Sequence, residues 1–224
     1  MRVNSKCKGE FNLIVNWDIC RVRHWGLNYF DTVIDIGANI GVFSMMMKML
    51  HPKAKILAVE PSIRNIRPLR ANIKNMEIDL ETRGLGDGST MYHRYGRKRG
   101  PVGDWFSKER VGGAFSIKTA PFWKIFKDNG CEKGNRLFVK IDCEGAERYL
   151  IGDYRSESIL KTADQVFLEI HFKAPKEKTF GKHAIPYSEY NKWIRKLFYR
   201  THDIEYFKSD KNRGFGHYCI RVRN

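Results

Sequence analysis

The sequence predicts an α/β fold: a mostly parallel, twisted sheet with helices on both faces and an antiparallel strand pair at the C-terminal end. Three observations predict it. Short apolar, β-branched runs alternate with helix-like apolar periodicity along most of the chain. The first such run leads into a glycine-spaced turn, Gly37-Ala38-Asn39-Ile40-Gly41, and the second ends in an acid, Glu60. Two further short runs, Ile204–Phe207 and Tyr218–Val222, close the chain with Gly214 and Gly216 between them.

Taken in order, residues 1–30 read as an N-terminal cap, with Trp17, Trp25, Tyr29 and Phe30 packing on the main domain. Val33–Ile36 is the first strand, and the helix after Gly41 runs to about Leu50, where Pro52 helps to end it. Lys55–Val59 is the second strand. Ser62 is placed to cap a helix bearing Ile63, Ile66, Leu69 and Ile73, which Pro68 is expected to kink or split. Ile78–Arg83 gives a third strand and Leu85-Gly86-Asp87-Gly88 a turn. Residues 88–136 read as an irregular insertion, rich in glycine and basic residues with interleaved aromatics. They suit a satellite core or a recognition surface. Leu137–Asp142 is a buried strand, Glu144–Ile151 starts a helix, and Gln165–Ile170 is another buried strand. Ser188 is placed to cap a helix with Tyr190, Trp193, Ile194, Leu197 and Phe198 on one face.

A length of 224 residues predicts a single domain over 1–224. A content of 42% hydrophobic and 13% aromatic residues excludes a disordered chain. No apolar stretch approaches the roughly 18 residues of a membrane span, and Phe11–Val15 is too short for a signal-peptide core, so a soluble cytoplasmic protein is expected. The 5 cysteines (Cys7, Cys20, Cys131, Cys143, Cys219) form no C-x-x-C, so neither a zinc cluster nor a disulfide framework is predicted. A formal net charge of +16 points to an acidic partner: nucleic acid, an acidic sugar or an anionic surface. The densest basic cluster is Arg94, Arg97, Lys98 and Arg99, and a second run is Lys173, Lys176, Lys178 and Lys182. Solvated loops are the plain alternative for both.

The glycine pattern discriminates among cofactors. A dinucleotide fingerprint needs G-x-G-x-x-G, but Asn39 holds the middle position and Val42, Phe43 and Ser44 follow Gly41. No lysine follows Gly41, as a P-loop requires. Asp35-x-Gly37-x-Asn39-x-Gly41 suits a ligand without phosphates, and S-adenosylmethionine fits. Glu60 lies 19 residues after Gly41, where such folds hold ribose hydroxyls. The cofactor's ammonium can meet Asp35 and its carboxylate the turn amides. A second constellation, Val139-Lys140-Ile141-Asp142-Cys143-Glu144-Gly145-Ala146-Glu147, ends a strand at Asp142. Ligands of open α/β sheets sit beyond the carboxyl ends of the strands, which brings Asp142 and Glu144 to the same crevice. Glu144 and Glu147 also read as helix-start residues favoured by the helix dipole.

With both motifs in hand, the chain resembles the FkbM family of S-adenosylmethionine-dependent methyltransferases. The resemblance rests on VIDIGANIG (33–41), VEP (59–61), LRANIKN (69–75), GLGDG (84–88), VKIDCEGAE (139–147) and FLEIH (167–171), and covers roughly residues 30–172. Where the family often has an acid after the threonine near Thr119, this chain has Ala120 and Pro121, so nothing is transferred there. The resemblance implies a Rossmann-like class I methyltransferase fold acting on a hydroxyl. It implies cofactor contacts at Asp35, Gly37, Asn39, Gly41 and Glu60, with Asp87 near the adenine. Asp142 is then the first candidate base and Glu144 the second, with Glu169 and His171 placed to bind or deprotonate the acceptor. No metal ligand set is assigned, although Asp142, Glu144, Glu169 and His171 also have the donor types of a divalent-metal site. The expected acceptor is a sugar or other small hydroxylated molecule, acidic in view of the charge. The alternatives are a ribose 2′-hydroxyl of RNA, and a catalytically inactive module that binds the cofactor alone.

Overall fold

The computed structural model describes residues 29–94, 105–107, 115–131, 136–172, 185–210 and 215–223. The first apolar run becomes β1 (Thr32–Ile36), fully buried along its length. It pairs in parallel with β2 (Lys55–Val59) on one side and β8 (Leu137–Ile141) on the other. β3 (Ile78–Glu81) extends the sheet beyond β2, and β9 (Gln165–His171) extends it beyond β8, both in parallel. β10 (His202–Asp210) and β11 (Phe215–Val222) close the 7-stranded sheet in the order β10-β11-β9-β8-β1-β2-β3. β11 inserts antiparallel between β9 and β10. The strand order reverses between β1 and β8, so a crevice opens there beyond their carboxyl ends.

Strand alternation assigns each residue to one of two faces. On one face Ile34, Ile36, Leu57, Val59, Val139, Ile141, Val166, Leu168 and Ile170 form a continuous apolar layer. It is covered by α3 (Phe122–Asp128), α4 (Tyr154–Leu160) and α5 (Tyr187–Phe198). On the other face Val33, Ile56, Ala58, Phe138, Phe167 and Cys219 pack under α1 (Val42–Leu50) and α2 (Ile63–Ile73). That second layer is apolar only at its base. Toward the carboxyl ends the same face carries Asp35, Lys140, Asp142, Glu169 and His171, at even steps from Val33, Phe138 and Phe167.

Several expectations are corrected. α2 is one helix from Ile63 to Ile73 with Pro68 inside it, neither split nor divided. The missing N–H forfeits one bond to the first turn, while Leu69 and Ile73, buried against the core, hold the second half in place. Ser62 stands at its N-cap without a side-chain cap bond, and its N–H is held by Glu60 Oε1 at 2.8 Å. Strand three stops at Glu81, where Arg83 turns back onto Glu81 and reaches Asp128 at 2.8 Å. The segment expected to be an irregular insertion holds α3 and three strands, β5 (Thr90–Arg94), β6 (Trp105–Ser107) and β7 (Phe115–Ala120). With β4 (Gly84–Leu85) these form a second sheet, β4-β7-β5-β6. α5 starts at Tyr187 after Pro186, so Ser188 lies within it rather than at its cap. Gly216 lies inside β11, not in the turn, and Gly214 is outside the described residues. The cap at 1–28, the rest of the Arg94–Arg99 cluster and the Lys173–Lys182 run also lie outside them. Among the described residues no helix is long and apolar enough to cross a membrane.

Candidate active site

The glycine turn is fixed by close approach. Gly37 has φ 80, and a Cβ there would meet the Asp142 carbonyl oxygen at 1.7 Å. Only glycine lets the ends of β1 and β8 come this close, and the Asp142 N–H completes the junction on Ile36 O at 3.0 Å. Asn39 (φ 51) and Gly41 (φ 88) continue the left-handed path into α1. A side chain at Gly41 would strike Leu69 Cδ1 at 2.5 Å, so the turn also seats α2.

The acid at the end of β2 is a latch. Glu60 is 5% exposed, and Oε2 accepts the Asn39 N–H at 2.9 Å while Oε1 accepts that of Ser62. The Asn65 side chain donates as well, which leaves the carboxylate one acceptor position for a ligand hydroxyl. Burial pushes the Glu60 carboxyl up to about 7 against the pull of these bonds. Of the turn amides expected to meet a carboxylate, the N–H groups of Gly37, Ala38, Asn39 and Gly41 bond within the protein. Asp35 lies beneath the turn. It is 0% exposed, and its oxygens accept from Ser44 Oγ at 2.7 Å and Lys140 Nζ at 2.9 Å. Asp35 and Lys140 are register partners on β1 and β8, so strand alternation puts them face to face. Lys140 also donates to Gly37 O at 3.2 Å, tying the ion pair to the turn. With these bonds Asp35 holds the turn from beneath. Asp87 sits exposed in the bend after β4, where Oδ1 accepts the Ser89 N–H at 3.0 Å.

Across the crevice the groups are side chains. No helix begins directly after Asp142. The chain turns through Glu144 (φ 55) and Gly145 (φ 94), and a short 3₁₀ helix follows at Ala146–Leu150. This turn swings Glu144 toward β9, with Oε2 at 3.5 Å from His171 Nε2. Glu169 Oε1 stands 3.4 Å from the same nitrogen, and Asp142 Oδ2 lies 3.9 Å from Lys140 Nζ. The structure thus brings together all four predicted acid–base residues. Burial, joined by the Glu169 charge, raises the Asp142 carboxyl to about 6, and burial raises that of Glu144 to about 7. Burial opposes ionisation of Glu169, but hydrogen bonds from His171 and His217 hold it well below its ordinary value. Burial lowers the His171 pKa, yet Glu147, Glu169 and Glu144 outweigh it and raise it well above 6.5.

Sequence reasoning missed four members. Glu147 is 0% exposed, and its Oε1 accepts the N–H groups of Cys143 and Gly145 and meets His171 Nδ1 at 3.1 Å. A carboxylate can only accept, so Nδ1 carries a proton, and Nε2, protonated too in the imidazolium, faces Glu144 and Glu169. His217 Nε2 meets Glu169 Oε2 at 2.5 Å from the opposite position on β11. Lys140 and Ser44 complete the set beneath Asp35. Parity along β8 places Lys140 with Asp142, a signal present in the sequence. The antiparallel register of β11 that delivers His217 is not.

Comparison with known proteins bears on the family and the fold. Residues 35–207 match the family model described as a methyltransferase FkbM domain. The methyltransferase sdnD of Sordaria araneosa is 60% identical over 150 residues, covering 51% of this chain and 57% of that protein. The AMB antimetabolite synthetase AmbE of Pseudomonas aeruginosa is 39% identical over 54 residues, 24% of this chain and 2% of that protein. The chain therefore spans about half the length of one of these relatives and a small fraction of the other. The crystal structure of methyltransferase FkbM from Methylobacillus flagellatus KT superposes with a TM-score of 0.51 at 15% identity. That superposition covers 85% of this chain and 43% of the other, and it establishes the fold.

Proposed function

This chain belongs to the FkbM methyltransferase family, and from that membership we propose that it transfers a methyl group from S-adenosylmethionine to a hydroxyl of a sugar or other small acceptor. The observation that carries the reading is the junction of β1 and β8, where the Glu60-latched glycine turn meets a cluster of acids around one histidine. The residues present fit a ribose-bearing cofactor: a tight turn with glycine at both ends, and beside it an acid with acceptor capacity left over. When bound, S-adenosylmethionine supplies an electrophilic methyl on a sulfonium centre. Glu60 accepts from a ribose hydroxyl. The Asp35–Lys140–Ser44 group keeps the turn rigid from below, which preserves alignment of the reacting atoms.

Asp142 and Glu144, 33% and 35% exposed at the mouth of the crevice, are the groups that take the acceptor's proton. Glu169 and His171 behind them position its oxygen. A ribose hydroxyl of RNA is the second reading, favoured by the net charge of +16. Binding to RNA that weakens steeply with salt would mark it. Calorimetric titration with S-adenosylmethionine tests the main reading. One site per chain is expected, weakened at least about tenfold in Glu60→Ala, equivalent to about 1.4 kcal/mol. No heat with the folded parent protein would sink it.

A further inference from the structure

We propose that Asp142, Glu169 and His171 bind a divalent first-row transition cation at the acceptor end of the crevice. The methyl-transfer reading gives the ion its task; its binding stands on geometry alone. Each of the three residues offers one ligand atom, and these atoms all lie within 4.8 Å of one another. Donors about 2.2 Å from one ion lie about 3.1 Å apart at right angles and about 4.4 Å apart when opposite. His171 Nε2 and Glu169 Oε1, 3.4 Å apart, fit neighbouring positions.

The surroundings are those that metal ligands require. A ligating imidazole commonly gives its other N–H to a carboxylate, which fixes the tautomer and aims the free lone pair at the metal. Glu147 holds the Nδ1–H of His171, so Nε2 is the ligand atom once a cation displaces its proton, and two backbone N–H groups hold Glu147 Oε1 in turn. Ligating carboxylates are likewise hydrogen-bonded, as Glu169 is by His217. Neither Glu147 nor His217 has a role in the proposed methyl transfer, so the cation accounts for two buried groups that the chemistry otherwise leaves idle. Charge agrees. Asp142, Glu144, Glu147 and Glu169 crowd around one ring, while Lys140 is already committed to Asp35. A doubly charged ion offsets that excess. Asp142 and Glu169 remain 33% and 20% exposed, leaving coordination positions open for an acceptor oxygen. An ion there polarises a hydroxyl for deprotonation. The mixed nitrogen and oxygen donor set favours Mn²⁺ over Mg²⁺ or Ca²⁺.

Protein stripped with a chelator and dialysed is titrated with MnCl₂, ZnCl₂ and MgCl₂ in turn by calorimetry, and the free Mn²⁺ signal is followed by electron paramagnetic resonance. One Mn²⁺ per chain is expected, bound at least about tenfold more tightly than Mg²⁺. Glu147→Gln weakens it by about 10- to 100-fold, and Asp142→Asn and Glu169→Gln by at least as much. Thermal melts accompany each variant, and if Glu169→Gln does not fold, Asp142→Asn carries the comparison. No binding of any of the three ions overturns the proposal. So does binding of undiminished strength in Asp142→Asn and His171→Gln. Manganese bound as expected with no heat from S-adenosylmethionine sinks the proposed activity and leaves the cation site standing; the reverse pattern sinks the site alone.

Discussion

On the β1–β2 side of the crevice the chain presents backbone: a left-handed turn through Gly37, Asn39 and Gly41, its N–H groups taken up internally and latched by one acid. On the β8–β9–β11 side it presents side chains: four carboxylates and two imidazoles held by each other. The first wall is specified by steric exclusion and tolerates no added atoms. The second is specified by charge balance and tolerates changes of shape better than changes of charge. Lys140 belongs to both, since it springs from β8 and ends beneath the turn on Asp35 and Gly37 O.

Gly37→Ala should break the contrast most severely. The new Cβ would lie 1.7 Å from a backbone oxygen that cannot step aside. A loss of about 5 kcal/mol is expected, at the extreme of single substitutions. In a chain of this size that lowers the melting temperature by about 10 °C or more, read by calorimetry. Gly88→Ala sharpens the comparison. It has a similarly positive φ, 92, but nothing within 4 Å, so it carries the strain of about 1–2 kcal/mol without the clash.

Lys140→Met comes next, because it strands a fully buried carboxylate. Asp35 is 0% exposed and Lys140 3%, so removing the cation should cost about 3–5 kcal/mol in denaturant unfolding. The double variant Lys140→Met, Asp35→Asn should recover part of that loss. If both variants were equally unstable, the pair would matter for packing rather than charge.

Glu60 gives the most condition-dependent effect. Its folded carboxyl titrates at about 7, above the ordinary glutamate value of 4.5. Between these values the folded protein holds a proton that the unfolded chain has released, so stability falls as pH rises through that window. The effect is on the order of 3 kcal/mol. Glu60→Gln should flatten that portion of the stability–pH profile relative to the parent. An unchanged slope would mean that the latch carries no proton in the folded state.

Much of the first wall was legible because its determinants are contiguous. A strand, two glycines at fixed spacing and a second strand ending in an acid appear in the chain as they appear in space. The end of β8 was legible for the same reason, and Asp142, Glu144, Glu169 and His171 do converge. The ion pair beneath Asp35 was not legible because its partner, Lys140, lies 105 positions away. Glu147 does stand in the first turn of the 3₁₀ helix, as read, but its hold on His171 was not legible because that residue, at the end of β9, lies 24 positions further along the chain. The strands of residues 90–120 escaped notice because glycine and basic residues mask their short alternations.

From the sequence alone came whatever depends on neighbours along the chain: which runs are strands, where a side chain is forbidden, and which acids stand at strand ends. Parity along β1, β8 and β9 even sorts residues between the two faces. Tertiary structure alone decided which of those ends meet, since strand order and register follow from the packing of all seven strands at once. It therefore chose the partners of each charge. Whether a carboxylate serves as a latch, a support or a member of the cluster is a property of its partner, and the partner is supplied from elsewhere in the chain.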